Sequence, residues 1–371
     1  MRRVAIIHEW LVNYAGSERV LAEILQLFPQ ADLYLLVDFL PQGERDFLGD
    51  RAIYSSFVQH LPFAAKSFRR YLPLMPLAVE QFDLSGYDLI ISSSHAVAKG
   101  VITGPDQLHI SYIHSPMRYA WDLQHQYLRE AKLERGLKSW LTRWLLHRLR
   151  QWDRYSVVGV DCLVANSHFI RRRIAKVYGR DAQVIYPPVD VEGFQPSDRP
   201  RENFYLTAAR FVPYKKVDLI VSAFAQMPDR PLVVVGEGES AARLQQLATP
   251  NIQFLPYQPP AQLKALMQRC RAFVFAAIED FGITLVEAQA CGTPVIALGQ
   301  GGAKETVTPT TGVLFARQDV SSLIEAVEGF EQLAFDPQVI RGHALQFSTQ
   351  VFRRQFENLV ECQWQAFAAQ L

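Results

Sequence analysis

The sequence predicts an α/β protein made of two doubly wound domains, because short apolar runs alternate with longer helical patterns in two successive series. The runs are rich in β-branched residues, lack strict polar alternation and end at polar or turn residues, as buried parallel strands do. A length of 371 residues also fits about two domains. Ligands of such sheets bind beyond the carboxyl ends of the strands, so an interdomain cleft is the expected site.

The first domain is predicted over residues 1–186. Its helical runs begin with residues 17–27, directly after the first strand. Parallel pairing with right-handed crossovers is expected, because strands and helices alternate. The expected strands cover residues 4–8, 33–37, 89–92, 109–113, 162–165 and 184–186.

A linker is predicted at residues 187–203, because this stretch holds four prolines and many charges. The second domain is predicted over residues 204–347, and residues 348–371 read as one long helix. The second series of strands covers residues 204–208, 232–235, 252–255, 272–275, 295–298 and 313–315. The helical patterns between them cover residues 217–225, 241–248, 261–269, 284–291 and 320–333.

Composition excludes several classes of protein. The 38 basic and 37 acidic residues give a net charge of +1, which argues against a protein dedicated to nucleic acid. The four cysteines form no CxxC pair, so a zinc knuckle, an iron–sulfur site and a disulfide framework lack support. Glu9 interrupts the first apolar run too early for a signal peptide, and no apolar run of about eighteen residues predicts a transmembrane helix. A cytoplasmic protein is expected.

Residues 129–154 differ from the alternating strands and helices around them. This stretch contains eight Lys or Arg, only three acidic residues, and three tryptophans. The pattern predicts a basic amphipathic helix, and two interpretations remain open. One is peripheral contact with an anionic membrane on the inner face of the cell membrane. The other is a surface helix that packs its apolar face on the first domain. The basic stripe comprises Arg143, His147, Arg150 and Arg154, and the apolar stripe comprises Leu137, Leu141, Trp144, Leu145, Leu149 and Trp152.

Two glycine-containing turns follow predicted strands. Gly16, in NYAGSER, precedes the first helical run, and Ser17 is expected to cap that helix. Free amides at such a helix start favour anions, although most α/β domains have a turn of this kind. Gly236 and Gly238, in VVVGEGES, form a second turn that alone is a weak signal for a nucleotide, and Ser240 is able to cap the next helix.

Cations and carboxylates follow other strands of the second domain. Arg210 and one of two adjacent lysines, Lys215 or Lys216, lie on a loop where a phosphate would fit. Glu279 precedes a turn at Gly282, and Glu287 lies on the following helix, where a carboxylate could accept hydrogen bonds from ribose hydroxyls. The first-turn amides of that helix are expected to be unpaired donors for a diphosphate, and they belong to Ile283, Thr284 and Leu285.

His114 ends a predicted strand of the first domain and should reach the same cleft. A histidine beside Ser-Pro at a strand end is more often structural when seen alone. Each signal is weak, but together they place cations, helix starts and titratable groups at one site. This combination fits a nucleoside-diphosphate donor.

At these residues the chain resembles glycosyltransferase family 4, whose members are retaining, sugar-nucleotide-dependent enzymes with the GT-B fold of two Rossmann-like domains. The resemblance covers essentially the whole chain. Its most specific element is EDFGITLVE followed by GTPVIA, and RFVPYK, VVVGEGE, GSERV, YIHSPMRYAWD and VANSHFIRRRI are also similar. Ser17 stands where the family usually has a second glycine. Within the family, the nearest likeness is to bacterial mannosyltransferases of surface polysaccharide synthesis that use GDP-mannose.

The resemblance implies a role for each residue. Arg210 and Lys215 would neutralise the diphosphate, which selects Lys215 over Lys216. Glu287 would hold the ribose, Glu279 the transferred sugar, and His114 would lie near the reacting centre. The implied catalytic residues are His114, Glu279, Arg210 and Lys215. The implied donor-binding residues are Gly16, Arg210, Lys215, Gly236, Gly238, Phe281, Gly282, Ile283, Thr284, Leu285 and Glu287.

The acceptor implied by the resemblance is a lipid-linked saccharide or a polysaccharide, with Asn166 and Ser167 on its side of the site. The C-terminal helix, residues 348–371, would cross back to the first domain. The chain contains no Asp-x-Asp, so no metal or other cofactor is expected, and cations with helix starts would stabilise the leaving group. Retention would come from front-face attack, a step that the family implies.

Alternative functions remain open. The donor could be UDP-glucose or UDP-N-acetylglucosamine, and the chain could bind a nucleotide sugar without turning it over. A sugar-nucleotide epimerase or a phosphorylase would not need Glu279 and Glu287 beside Arg210 and Lys215. A dinucleotide oxidoreductase is disfavoured, because no GxGxxG follows the first strand.

Overall fold

A computed structural model describes residues 2–371 and divides the chain into two compact units. Unit 1 comprises Met1–Pro188 with Phe352–Leu371, and unit 2 comprises Val189–Val351. Each unit holds one parallel sheet flanked by helices, which confirms the predicted α/β fold class. Residues 187–203, predicted as a linker, include Val189, Val191 and Phe194, which are buried in unit 2.

The sheet of unit 1 has seven strands in the order β3-β2-β1-β4-β5-β6-β7, and all neighbours are parallel. Apart from the added edge strand β7, this is the Rossmann order, which reverses direction between β1 and β4. The strands are β1 (Val4–Leu11), β2 (Asp32–Asp38), β3 (Ile53–Ser55), β4 (Leu89–Ser94), β5 (Leu108–Ile113), β6 (Cys162–Ala165) and β7 (Gln183–Val184). The short edge strand β3 was not predicted, because its three residues are mostly exposed and lack an apolar run.

Six α-helices belong to the described part of the first segment of unit 1. They are α1 (Gly16–Leu27), α2 (Ala64–Ser67), α3 (Met75–Glu80), α4 (Gln124–Glu130), α5 (Leu137–Tyr155) and α6 (His168–Tyr178). Successive residues of β1 face opposite sides of the sheet, so Ile6 and Ile7 join different apolar clusters. Helices therefore cover both faces of a buried parallel sheet.

The continuous basic helix predicted for residues 129–154 is wrong at its start. Helix α4 ends at Glu130, and α5 begins only at Leu137. The chain breaks between them because Lys132 and Gly136 both adopt positive φ angles, 54° and 89°, which an α-helix cannot accommodate.

A buried ion pair holds α5 on unit 1. Asp153, on the inner face of the helix, lies 2.5 Å from Lys99 Nζ, and both side chains are almost completely buried. Its carboxylate also accepts hydrogen bonds from Trp121 Nε1 at 2.6 Å and from the Tyr178 hydroxyl at 3.1 Å. Partners on three sides of one carboxylate fix the rotation of α5 about its own axis.

The sheet of unit 2 has six parallel strands in the order β10-β9-β8-β11-β12-β13. The strands are β8 (Tyr205–Ala208), β9 (Leu232–Val235), β10 (Ile252–Leu255), β11 (Ala272–Phe275), β12 (Val295–Leu298) and β13 (Gly312–Phe315). The helices are α7 (Val217–Phe224), α8 (Ala241–Leu247), α9 (Pro260–Arg269), α10 (Ile283–Ala290), α11 (Ala303–Thr306), α12 (Val320–Phe330) and α13 (Pro337–Ala344). The order reverses between β8 and β11, which makes their carboxyl ends the expected ligand edge.

The last helix, α14 (Thr349–Ala368), enters unit 1 from Phe352 onward. Phe352 and Phe356 are almost fully buried in the cluster that contains Ile6 and Leu11. Both rings also meet the Tyr112 ring of β5 edge-on, with centroids 5.9 and 6.4 Å away. This helix is therefore part of the core of unit 1.

Within residues 2–371, none of the helices combines the length and the apolar character that crossing a bilayer would require.

Candidate active site

The cations and one carboxylate of unit 2 lie at the point where its strand order reverses. Arg210 and Lys215 follow β8, and Glu279 follows the adjacent strand β11. Because the carboxyl ends of parallel strands meet at one edge, these side chains come together although 64 residues separate Lys215 from Glu279. The shared edge agrees with the predicted strand ends, and the role of these residues in binding a donor stays a prediction.

Lys215 and Glu279 form a direct ion pair. Lys215 Nζ donates to Glu279 Oε1 at 2.5 Å, and about a fifth of each side chain remains exposed. The ammonium also lies 5.8 Å from the ring centres of Tyr214 and Phe275. The neighbouring Lys216 instead adopts a left-handed conformation, φ 55°, at the start of α7. Lys215 is thus the lysine that faces the carboxylate at this edge.

Tyr214 connects Arg210 to the Lys215–Glu279 pair. Arg210 Nη2 donates to the Tyr214 hydroxyl at 2.7 Å, and the guanidinium is exposed. The loop of Arg210 packs on the second glycine turn, because Phe211 N donates to Glu237 O at 2.7 Å. A Cβ at Gly238, φ 152°, would lie 2.6 Å from Phe211 O, so only glycine allows this approach. In this arrangement, Gly238 supports the loop that carries Arg210.

Helix α10 starts at this edge after Gly282, whose φ of 93° suits glycine. The expectation of three unpaired amides is wrong for Leu285, because its N–H donates to Gly282 O at 3.0 Å. Ile283 and Thr284 supply the other first-turn amides. Glu287 lies inside the helix and is only 5% exposed.

Phe281, which precedes this turn, is buried and meets the Phe347 ring edge-on at 5.4 Å. A Cβ at Gly302 would lie 2.4 Å from Phe281 Cα, so the backbone after β12 presses directly on this segment. The amide of Gly302 donates to Glu279 O at 2.8 Å. This support for Glu279 was not predicted, although the GG pair in GQGGA was a visible signal for close backbone approach.

His114 of unit 1 directly follows β5, as predicted. Its amide donates to Ser94 O at 2.8 Å, and its carbonyl accepts from Asn166 Nδ2 at 3.0 Å. Burial lowers the pKa of His114 to about 3, so the ring is neutral at pH 7. Ser167 caps α6, because its Oγ accepts from Ile170 N at 3.1 Å. Asn166 therefore positions the His114 backbone, and Ser167 has a structural role at the helix start.

The glycine turn of unit 1 differs from the predicted cap. Helix α1 begins at Gly16 with Ala15 in the capping position, and Ser17 lies inside the helix. Glu18 Oε2 accepts from Ala15 N at 3.0 Å, so a first-turn carboxylate binds the amide of the residue in the capping position. In unit 2, Ser240 occupies the capping position of α8 but its side chain makes no capping hydrogen bond.

Sequence reasoning missed a second titratable pair at the carboxyl edge of unit 1. Glu9 is completely buried in β1, and its carboxylate accepts from the amides of His95, Ala96 and Ala98 and from Ser94 Oγ. His95 Nδ1 lies 2.6 Å from Glu9 Oε2. Burial opposes ionisation of both groups, but their attraction lowers the pKa of Glu9 and raises the pKa of His95. A charged residue inside the apolar run VAIIHEWL was the available signal.

The structure therefore assembles two groups of candidate residues, each at the carboxyl edge of its own sheet. Unit 2 brings together Arg210, Lys215, Glu279 and the start of α10, and unit 1 brings His114 near His95. Among the described residues 2–371, no cluster of three or more His, Cys, Asp or Glu is arranged to hold a metal ion. Metal independence stays a prediction.

Two family models match consecutive parts of the chain. The model of Glycosyltransferase Family 4 matches residues 14–192, and the model of Glycosyl transferases group 1 matches residues 191–338. The boundary between them falls close to the boundary between the two units.

Curated relatives share the same class. The chain is 35% identical over 197 residues to a GDP-mannose-dependent monoacylated alpha-(1-6)-phosphatidylinositol monomannoside mannosyltransferase of Corynebacterium glutamicum, covering 45% of this chain and 51% of that protein. It is 29% identical over 214 residues to a D-inositol 3-phosphate glycosyltransferase of Mycobacterium sp. (strain KMS), covering 50% and 48%. The chain thus spans about half the length of these relatives.

Solved structures agree on the fold. Anabaena HepE in complex with UDP and glucose superposes with a TM-score of 0.70 at 17% identity, covering 97% of this chain and 100% of that chain. Sucrose-phosphate synthase of Thermosynechococcus elongatus gives a TM-score of 0.70 at 17% identity, covering 99% and 100%. With a GT-B fold, a parallel sheet in each unit and family models matching residues 14–338 in succession, the chain belongs to glycosyltransferase family 4.

Proposed function

We propose that the chain is a retaining glycosyltransferase that transfers mannose from GDP-mannose to a lipid-linked or polysaccharide acceptor without a metal ion. The observation that carries this proposal is the Lys215–Glu279 pair, with Arg210, at the strand-order reversal of unit 2. Cations and a carboxylate at this edge suit a molecule that has a diphosphate at one end and hydroxyl groups at the other.

Charge development explains the arrangement. When the bond between the sugar and the diphosphate breaks, negative charge grows on the leaving group and positive charge on the sugar. Arg210, Lys215 and the first-turn amides of α10 stabilise the leaving diphosphate, because fixed donors need no reorganisation as that charge appears. Glu279 accepts hydrogen bonds from the sugar hydroxyls, and Glu287 does the same for the ribose.

One relative supports the choice of donor and acceptor. A mannosyltransferase named as GDP-mannose-dependent is 35% identical over 197 residues, and its named substrate is a phosphatidylinositol mannoside, a glycolipid. This supports GDP-mannose over UDP-glucose or UDP-N-acetylglucosamine, and it supports a lipid-linked acceptor. Retention proceeds by front-face attack, in which the leaving phosphate oxygen takes the proton of the acceptor hydroxyl.

A thermal-shift panel tests the donor. GDP-mannose and GDP should raise the unfolding temperature, since a ligand at a hundred times its Kd adds about 2.7 kcal/mol to stability. EDTA should not change the shift, and Arg210→Ala should remove it. Unfolding is followed by differential scanning fluorimetry with GDP-mannose, UDP-glucose, UDP-N-acetylglucosamine, GDP and UDP.

Arg269→Ala is the matched control. Arg269 pairs with Glu202 on an exposed surface just before β11, at the opposite edge of the sheet, so its loss should leave the shift intact. Stabilisation by a UDP-sugar instead would overturn the donor. No stabilisation by any of the five compounds would overturn nucleotide-sugar binding by this chain as proposed.

The outer face of α5 supports membrane contact. The expected apolar stripe does not pack as one face: Leu149 is buried, whereas Leu137 is 82% and Trp144 48% exposed. Trp140, outside that stripe, is 64% exposed. The basic stripe is also split, because Arg150 donates to Ala120 O at 2.7 Å. Apolar rings therefore face outward.

Charge on this face favours an anionic lipid surface. Lys138, His147, Arg148 and Arg154 are exposed on the helix, and its only carboxylate, Asp153, is buried in the ion pair with Lys99. Exposed tryptophans surrounded by cations fit the interface between lipid headgroups and acyl chains. We therefore extend the proposal to peripheral binding through α5.

Trp140→Ala should weaken binding to vesicles of phosphatidylglycerol and phosphatidylcholine by at least about tenfold, because burying one such side chain stabilises by roughly 1.5–3 kcal/mol. Co-sedimentation at low salt measures the bound fraction, and added salt should reduce it. Tyr257→Ala removes an equally exposed ring, 67%, from unit 2 and should have no effect. Equal binding by both variants would contradict a contact through α5.

A further inference from the structure

The lysine that the proposed function assigns to the diphosphate is paired with a carboxylate at the same edge of unit 2. Lys215 Nζ donates to Glu279 Oε1 at 2.5 Å, and about four fifths of each side chain is shielded from solvent. Water therefore screens this attraction only in part. A diphosphate that binds Lys215 must share the ammonium with Glu279 or take it away from that carboxylate.

Main-chain contacts hold Glu279 in place without its side chain. The amide of Gly302 donates to Glu279 O at 2.8 Å, and Gly301 forms a parallel β-bridge with Glu279. A Cβ at Gly301, φ 67°, would lie 2.3 Å from the same oxygen, so the two backbones are in close contact. The Glu279 carboxylate therefore extends from a fixed backbone, whereas Lys215 has a long flexible side chain. The lysine is the member of the pair that can exchange partners.

The charge of Glu279 disfavours a free nucleoside diphosphate. The terminal phosphate of this product carries more negative charge than it does in the donor, where the sugar esterifies one of its oxygens. Like charges that lie close together repel strongly at a partly buried site. Arg210 and Lys215 offset this repulsion, but Glu279 already neutralises part of the charge of Lys215. Glu279 thus weakens the binding of the product.

The sugar of the intact donor compensates for this repulsion. Its hydroxyl groups donate hydrogen bonds, and bonds to an ionised carboxylate are roughly twice as strong as bonds between neutral groups. Both oxygens of Glu279 can accept such bonds once Lys215 turns toward the phosphates. When the sugar is transferred to the acceptor, these hydroxyl donors leave Glu279 together with it. The carboxylate then faces the diphosphate without compensation and competes with it again for Lys215.

We infer that Glu279 is a specificity-determining residue that makes unit 2 prefer the sugar-bearing nucleotide to the nucleoside diphosphate left after transfer. The pair between Glu279 and Lys215 re-forms as the product dissociates, and it thereby promotes product release. The inference rests on the proposed function, in which Lys215 binds the diphosphate and Glu279 binds the sugar. It assigns a purpose to their direct contact, which neither of those two roles requires.

Isothermal titration calorimetry of the full chain measures the Kd of GDP and the Kd of GDP-mannose separately. Glu279→Gln keeps the size of the side chain and removes its charge. GDP should bind this variant about tenfold more tightly, because a like charge beside the diphosphate is gone. GDP-mannose should gain no affinity, because its sugar loses bonds to an ionised carboxylate. In sugar-transfer assays, product inhibition by GDP should strengthen by the same factor.

Glu279→Ala is a second test, since alanine offers the phosphates no amide. GDP should again bind more tightly than to the unsubstituted chain, and GDP-mannose should bind more weakly. The main-chain contacts of Glu279 with Gly301 and Gly302 do not involve the side chain, so both variants keep the local fold.

Asp218→Asn is the matched control. Asp218 lies in the first turn of α7, which starts at the same edge after β8, and its Oδ2 is 3.6 Å from Arg243 Nη2. This variant removes one negative charge from a neighbouring pair that does not include Lys215. Its Kd values for GDP and GDP-mannose should stay within about threefold of those of the unsubstituted chain. Equal tightening of GDP binding in Asp218→Asn and Glu279→Gln would show that net charge controls product affinity, and it would overturn the inference.

The remaining outcomes separate this inference from the proposed function. An unchanged Kd of GDP in both Glu279 variants overturns the inference, while donor binding by the unsubstituted chain still supports the proposed function. Equal tightening of GDP and GDP-mannose overturns the inference and also the contact of Glu279 with the sugar. If the thermal-shift panel selects a UDP-sugar, the same titrations use UDP and that sugar. Binding of no nucleotide by any variant overturns both the proposed function and the inference.

Discussion

Lys215→Ala is expected to lower kcat/KM for sugar transfer by about 100- to 1000-fold, the usual effect of removing one fixed donor from a developing anion. The loss has two sources. The leaving diphosphate loses a cation, and Glu279 loses the ammonium 2.5 Å from its carboxylate. An unpaired Glu279 then repels the diphosphate. Steady-state kinetics with the donor identified by thermal shift measure the effect.

Lys216→Ala provides the control, because it removes the same charge one residue away. Lys216 has a left-handed backbone at the start of α7, and the contact with Glu279 belongs to Lys215. Its kcat/KM should stay within about threefold of the unsubstituted chain, as expected for a substitution outside the site. Equal losses in the two variants would show that bulk charge, and not the Lys215–Glu279 pair, matters.

Asp153→Asn is expected to destabilise unit 1 by about 3–5 kcal/mol, because it leaves the buried Lys99 ammonium without a counterion. The amide keeps an acceptor oxygen for Trp121 and Tyr178, so the charge is the main loss. Adding Lys99→Met should restore most of the stability, since no unpaired charge then remains buried. Scanning calorimetry follows the transition of unit 1.

Asp181→Asn is the control for this prediction. Asp181 pairs with Arg171 at 2.8 Å on an exposed surface, so solvent screens the pair and its loss should change stability little. A calorimetric shift for Asp153→Asn no larger than that for Asp181→Asn would show that the pair with Lys99 does not hold α5 in place.

The strands and the candidate site of unit 2 could both be predicted, because both depend on local patterns in the sequence. Runs such as LVVV at β9 are buried on both faces, so they are continuously apolar and bounded by turns. Once strands are parallel, the residues after β8 and β11 must share one edge. The convergence of Arg210, Lys215 and Glu279 therefore follows from local patterns.

The missed features depend on contacts distant in the chain. Glu9 reads as an interruption of a strand until the amides after β4 surround its carboxylate, 86 residues away at His95. The outward face of α5 could not be read from periodicity, because Asp153 turns the helix toward Lys99, 54 residues earlier. Strand β3 lacked any apolar run. The burial of Glu9 and the orientation of α5 depend on contacts with buried polar partners, which the hydrophobic periodicity of the sequence does not display.

The place of α14 in unit 1 has a consequence for how the protein is made. With Leu359 and Val360 of the same helix, Phe352 and Phe356 fill a core whose remaining buried members, including Ile6 and Leu11, precede unit 2 in the chain. During translation, the first segment therefore leaves the ribosome with part of its apolar core uncovered. These residues stay uncovered while the whole of unit 2 is translated. The segment synthesised first is thus the last to complete its folding, and the nascent chain needs protection from aggregation over that interval.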